Sequence, residues 1–214
     1  MDKSAKPTTK RTRNKAQTMQ LLLEAVGKVI REEGFQGIGV NAISKAAGVD
    51  KVLIYRYFGG LDGLLKAYTA QQDYWIQAQK KEDLKKLSFE NIKEITTQLH
   101  IGALRHLWDN KELLELLKWE LVERNDLTKA IAEEREENSK RMFQYFEKPL
   151  SESGLDLEAL AAVLNGGIYY LTLHASEHPT YDTIDLSSEA GRKRIEDAVS
   201  FLIEMLMDRV KGQH

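Results

Sequence analysis

The chain has 214 residues, 31 Lys/Arg against 33 Asp/Glu, three prolines and no cysteine. Disulfides, thiolate metal sites and cysteine nucleophiles are therefore excluded. No apolar run reaches the roughly 18 residues of a membrane span, the first residues lack the apolar stretch of a signal peptide, and strand-like alternation never persists. We therefore expect a cytoplasmic, all-α protein.

Charge is unevenly placed. Residues 1–60 hold eleven basic and five acidic residues, a net +6, whereas the remainder holds 20 and 28, a net −8. A basic head on an acidic body is the pattern of a protein whose head alone meets nucleic acid. Residues 1–14 are polar, basic and Thr-rich, and read as a disordered arm able to follow a DNA backbone. A first helix is expected from about Lys15 to Glu33, with Met19, Leu22, Leu23, Val26, Val29 and Ile30 inward.

Gly34 then supplies a stop. Val40, Ile43 and Ala47 recur at helical spacing, Gly48 permits a tight turn through positive φ, and Asp50 is a suitable N-cap for a helix to Phe58. In that helix Ile54 and Phe58 share a face, so Lys51, Tyr55 and Arg56 project elsewhere. A short helix with base-reading and phosphate-binding side chains is what a major groove admits. Gly34, Gly37 and Gly39 follow a helix and lack a Gly-Lys-Ser/Thr continuation, so they do not read as a nucleotide loop.

Gly34-Phe35, Val40, Ile43, Ala46-Ala47-Gly48-Val49, Ile54-Tyr55, Tyr57-Phe58 and Leu64-Leu65 resemble, in register, the N-terminal DNA-binding domain of the tetracycline-repressor (TetR) family. The resemblance covers about residues 16–68. It implies a ligand-responsive transcriptional regulator, a repressor, that binds a palindromic double-stranded operator as a homodimer and is released by a small apolar or amphipathic effector. It also implies DNA contacts from Asn41 and Lys45 and from Lys51, Val52, Leu53, Tyr55, Arg56 and Tyr57. Lys51 and Arg56 would meet guanine edges or phosphates, Val52 or Leu53 a thymine methyl, and Tyr57 a phosphate. Three positions depart from the family pattern. Gly39 stands where Thr usually caps the second helix, Asp50 where Ser or Thr opens the reading helix, and Leu61 where a Lys is usual. Each removes or repels a phosphate contact.

Downstream, Gly59-Gly60 precede a helix expected from about Asp62 to Gln79, with Leu64, Leu65, Tyr68, Trp75 and Ile76 on its apolar side. We place the domain boundary at its start: 15–61 for DNA binding, 62–214 for effector binding and dimerisation. Ser88 is the expected cap of a helix carrying Ile92, Ile95, Leu99, Ala103 and Leu107. Asp109-Asn110 separate it from Leu113, Leu114, Leu117 and Leu121. A long helix from Asn125-Asp126 to about Phe146 has a charged middle, Glu133–Arg141, which reads as a solvated face. Ala159–Ala175 is apolar nearly all round and must be covered on both sides. With the last helix, about Ser188–Val210, it would form a four-helix seam between two copies, as the family's last two helices do. The expected seam comprises Leu160, Leu164, Gly167, Leu171, Ile195, Val199, Leu202 and Leu206.

Trp75, His100, Trp108, Trp119, Tyr145, Asn165 and Tyr169 form a set able to line an apolar pocket with a few orienting hydrogen bonds. His174 and His178 stand at i, i+4, but no third ligand is recognisable, and His at a helix C-terminus has a dipole explanation. No metal or other cofactor is expected. No nucleophile elbow or triad order is evident, so an enzyme is not expected either. The alternative is an all-helical small-molecule-binding protein or enzyme whose DNA-binding domain is weakened at Gly39, Asp50 and Leu61.

Overall fold

The structure, a computed structural model, describes residues 9–81, 84–150 and 153–211. It divides into two compact units, residues 1–70 and 71–214. The division falls inside the fourth helix rather than ahead of it. Most of the expected arm, residues 1–8, lies outside the described residues, and the remainder is the start of α1.

The first unit holds α1 (Thr9–Glu33), a 3₁₀ turn (Phe35–Gly37), α2 (Val40–Ala47), α3 (Val52–Phe58) and most of α4 (Leu61–Gln72). α1 begins six residues earlier than the apolar periodicity indicates, because periodicity marks buried positions and not helix as such. Gly34 ends α1 at φ 68° and Gly48 ends α2 at φ 66°, both left-handed. The Val49 N–H reaches back to the Ser44 carbonyl at 3.1 Å, so the turn satisfies the end of α2. Asp50 caps α3 as expected, its Oδ1 accepting from Val52 N at 2.8 Å. The core is Leu22, Val26, Val29 and Ile30 of α1 with Ile43, Ile54, Leu64 and Leu65, all buried. Each fully buried aliphatic chain contributes about 1.5–3 kcal/mol before chain entropy is subtracted. Gly63 is required by packing, since a Cβ there would lie 1.8 Å from the Phe58 carbonyl oxygen.

The helix expected over 62–79 is two helices, α4 and α5 (Tyr74–Lys81). Asp73 opens the second, its Oδ1 accepting from Ile76 N at 3.0 Å. In the second unit follow α6 (Ile92–Asp109), α7 (Lys111–Val122), α8 (Asp126–Leu150), α9 (Leu157–Glu177), β1 (Thr180–Tyr181), β2 (Ile184–Asp185) and α10 (Glu189–Lys211). The cap expected from Ser88 is different in kind: Ser88 N donates to Asn91 Oδ1 at 2.9 Å, ahead of α6. Asn110 caps α7 through Leu113 N at 3.0 Å, and Asp156 caps α9 through Ala159 N at 2.9 Å. The two-residue strands pair antiparallel around Asp182 and Thr183, both at positive φ. This small ribbon is the only strand pairing among the described residues.

Two apolar clusters organise the second unit. The larger joins α6, α7 and α9 to Ile195, Val199, Ile203, Met207 and Val210 of α10. The smaller joins Ala78 of α5, Leu99 of α6 and Met142 of α8, with Trp75, Tyr145 and Phe146 against it. A bidentate pair ties α6 to α10, Arg105 donating from Nε and Nη2 to Glu196 at 2.7 Å each.

The expected seam is corrected at two positions. Ile195 and Val199 belong to the chain's own core and are 9% and 6% exposed. The apolar arc of α10 is wider than one face, and its inner half packs on α6. The open half carries Phe201, Leu202 and Met205, each more than half exposed, and Leu206 is half-buried at its edge. On α9, Leu160, Val163, Gly167 and Tyr170 are exposed, while Leu164 and Leu171 are half-buried. A Cβ at Gly166 or Gly167 would meet nothing within 4 Å.

Candidate nucleic-acid interface

The surface of α2 and α3 is built by what their inner faces bury. Ile43 and Ile54 are wholly buried, which turns Asn41, Lys45, Lys51, Val52, Tyr55 and Arg56 outward. Val52 and Tyr55 are 60% and 57% exposed, beside the exposed Lys51 and Arg56. Leu53 and Tyr57 are half-buried at the margin. Lys51 Nζ donates to Asn41 Oδ1 at 3.4 Å, linking the two helices across the turn. Lys15 of α1 stands 5.5 Å from the centre of the Tyr57 ring. That cation lay at the edge of the expected arm, and nothing in the spacing pointed to it.

Gly39 precedes α2 with φ −172° and ψ 155°, an extended conformation open to any residue, and its carbonyl accepts from Ile43 N at 2.9 Å. Without a side chain it offers no cap and no hydroxyl. Two exposed helices meeting at a left-handed glycine, the second presenting Lys, Arg and Tyr beside Val, match what a major groove accepts.

Residues 22–68 match the family model of bacterial regulatory proteins, tetR family. The chain carries a TetR-family DNA-binding domain. No functionally curated protein matches the sequence. Solved structures of the same fold include the fatty acid degradation regulator FadR from Bacillus halodurans, 17% identical, with a TM-score of 0.63 over 96% of this chain and 97% of that one. FadR from Bacillus subtilis, in complex with stearoyl-CoA, is 20% identical, with a TM-score of 0.63 over 86% and 96%. NalD of Pseudomonas aeruginosa, the secondary repressor of the MexAB-OprM multidrug efflux pump, is 15% identical, with a TM-score of 0.67 over 90% and 96%. The likeness in fold to these three structures covers 86–96% of this chain. No described helix is long and apolar enough to cross a membrane.

Within the body, the aromatic set separates into distinct places. Trp75 and His100 meet edge to face at 5.3 Å between ring centres. Burial pushes the Tyr169 phenol up from its ordinary value, with Trp75 close beside it. Tyr145 packs in the same α5–α6–α8 seam. Asn165 stands one turn before Tyr169 on α9. Trp108 does not join them. It packs in the larger cluster with the Arg192 guanidinium 5.3 Å from its ring, beside an open groove of about 750 Å³. The cations of that groove are matched by acids: Arg105 by Glu196, Arg192 by Asp109, Lys193 by Asp197. Trp119 is buried on α7, its indole donating to Glu123 one turn on.

The charged stretch of α8 is mostly exposed, as expected, with two exceptions. Arg135 and Asn138 lie on the inward face with Ile131 and Met142, and Asn138 is 6% exposed. Arg135 donates to Glu120 of α7 at 2.8 and 2.5 Å. Burial lowers the pKa of His100 from 6.5, while its Nδ1 lies 2.7 Å from the Thr96 carbonyl. At the end of α9, the His174 and His178 rings are 5.3 Å apart, and His174 Nε2 meets the Thr180 carbonyl at 3.0 Å. Among the described residues, no group of three metal-ligating side chains gathers.

Proposed function

We propose that this protein is a homodimeric, ligand-responsive transcriptional repressor. It reads a two-fold symmetric operator with α2 and α3 and is released by a small apolar or amphipathic effector bound in the helical body. The observation that carries this reading is the exposed face of Lys51, Val52, Tyr55 and Arg56 on a helix whose opposite side is fixed by Ile54. Lys51 and Arg56 supply cations for guanine edges or phosphates, and Val52 an apolar contact for a thymine methyl.

Dimerisation is supported by the open apolar face of α9 and α10. Val163, Phe201, Leu202 and Met205 are 77%, 59%, 54% and 55% exposed, and Gly166-Gly167 leave room for close backbone approach. An isologous two-fold contact would cover this face and set the spacing of the two reading helices. Leu202→Glu would then bury an unpaired charge and should yield monomers in sedimentation. A wild-type protein that sediments as a monomer at micromolar concentration contradicts the dimer.

Control is supported by the end of α4. Gln72 is held twice, His106 Nε2 meeting its carbonyl at 2.7 Å and Asn110 donating to its Oε1 at 2.9 Å. Asn110 also caps α7, so a shift of the α6–α7 junction is felt at the last residue of α4. An effector preferring one position of that junction would bias operator affinity, and operator would bias effector affinity by the same factor. Selection of duplexes from random DNA by the full chain tests the whole reading. A symmetric consensus with two half-sites is expected, and enrichment of no sequence would overturn it.

A further inference from the structure

Among the described residues, four polar side-chain atoms of the body are buried without a hydrogen-bond partner from the protein: Trp108 Nε1, which lies apart in the larger cluster, and Thr96 Oγ1 on α6, Asn138 Nδ2 on α8 and Asn165 Oδ1 on α9. Thr96 and Asn138 are only 7% and 6% exposed. Buried polar groups are normally paired, because desolvation without a new bond is unfavourable. The orientation of the Asn138 amide is set by Arg141, which donates to its Oδ1 and leaves the NH₂ as the unpaired end.

Thr96, Asn138 and Asn165 each stand one helical turn from a residue packed in or against the seam around Trp75. His100 is one turn beyond Thr96 on α6 and is in ring contact with Trp75. Asn138 is one turn before Met142, which packs with Leu99 and Ala78 where α5, α6 and α8 meet. Asn165 is one turn before Tyr169, a buried phenol close beside Trp75.

The charge content of the same region is balanced. Arg135, whose charge acts on Tyr169, is committed to Glu120 through two hydrogen bonds. Burial keeps His100 and Tyr169 neutral. An anionic head group would have to draw Arg135 away from Glu120 and leave that half-buried carboxylate unpaired, which is strongly unfavourable. An uncharged head with one donor and one acceptor would satisfy Asn165 Oδ1 and Asn138 Nδ2 without disturbing the pair.

We propose that Thr96, Asn138 and Asn165 are the polar contacts of the effector, and that they select an uncharged amphipath over its carboxylate counterpart. The ligand class is a carboxamide, ketone or alcohol head on an apolar or aromatic body. This inference rests on the reading of the body as an effector-binding domain.

The test uses the full chain, calorimetry and tryptophan fluorescence, with matched pairs that differ only in the head. Suitable pairs are oleamide and oleate, indole-3-acetamide and indole-3-acetate, and 4-butylbenzamide and 4-butylbenzoate, at a pH where the acids are ionised. At least one amide should bind about tenfold more tightly than its acid, the value for two modest net hydrogen bonds. Asn138→Leu and Asn165→Leu should abolish that preference. Thr96→Val, nearly isosteric, should raise the melting temperature of the ligand-free protein by removing an unpaired hydroxyl, and should weaken the amide. Acids that bind as tightly as amides would overturn the inference and leave the effector reading standing. An amide preference that survives in folded Asn variants would also overturn it. If no member of any pair binds, the effector reading falls together with the inference.

Discussion

Gly39→Thr isolates one contact at the DNA interface. The backbone at Gly39 is extended, at φ −172°, and an added Cβ meets nothing within 4 Å, so the substitution is free of strain. A threonine hydroxyl there can cap the first turn of α2, worth a few tenths of a kcal/mol over glycine. Lower freedom in the unfolded chain adds about 0.4–1 kcal/mol. The first unit should therefore melt later. If α2 lies against the DNA backbone as proposed, the hydroxyl also reaches a phosphate. A net hydrogen bond of about 0.5–1.5 kcal/mol corresponds to roughly 2- to 13-fold tighter binding. Threonine is neutral and releases no counterions, so the slope of log affinity against log salt should not change. Fluorescence anisotropy on a selected duplex at several salt concentrations measures both quantities. A variant that melts later yet binds DNA no better would refute the placement of α2.

Three other substitutions probe the fold. Gly63→Ala forces a methyl to within 1.8 Å of the Phe58 carbonyl oxygen at the end of α3. It should cost about 1–3 kcal/mol, partly offset by helix propensity, and calorimetry should show the first unit melting earlier. Thr183→Gly relieves a β-branched residue at φ 67° in the ribbon turn and should stabilise the body by about 1 kcal/mol in denaturant titration. His100 is held below its ordinary 6.5 by burial, so the folded state binds fewer protons than the unfolded state just below that pH. Its contribution is complete above 6.5 and is lost as pH falls toward the lowered folded value. Wild-type stability should therefore drop with a slope of at most about 1.4 kcal/mol per pH unit from this group. His100→Gln should flatten that drop; an unchanged slope would contradict the assignment.

The helix-turn-helix was legible in the sequence because its signals are local. Gly34 and Gly48 at positive φ and the Asp50 cap act within a few residues of themselves, and each stands as expected. The break between α4 and α5 was not legible. Leu65, Tyr68, Trp75 and Ile76 keep a continuous apolar side across it, and Asp73 shows itself as a cap only through Ile76 N. Burial direction was the other gap. α10 is apolar over too wide an arc for periodicity to say that Ile195 and Val199 face α6 while Phe201 and Met205 face outward. Trp108 shares the residue type of Trp75 and Trp119, and type carries no direction. In α8, hydropathy assigned Arg135 and Asn138 to solvent, whereas an inward pair with Glu120 and an unpaired amide show otherwise.

The central claim is that the Lys51–Arg56 face of α3 reads DNA, and operator affinity of the wild type, Lys51→Ala and Arg56→Ala tests it most directly. Wild-type affinity should fall steeply with rising salt, and Arg56→Ala should lose about 1–3 kcal/mol if it contacts a base. Folded Lys51→Ala and Arg56→Ala proteins that both bind the selected operator as the wild type does would contradict the account.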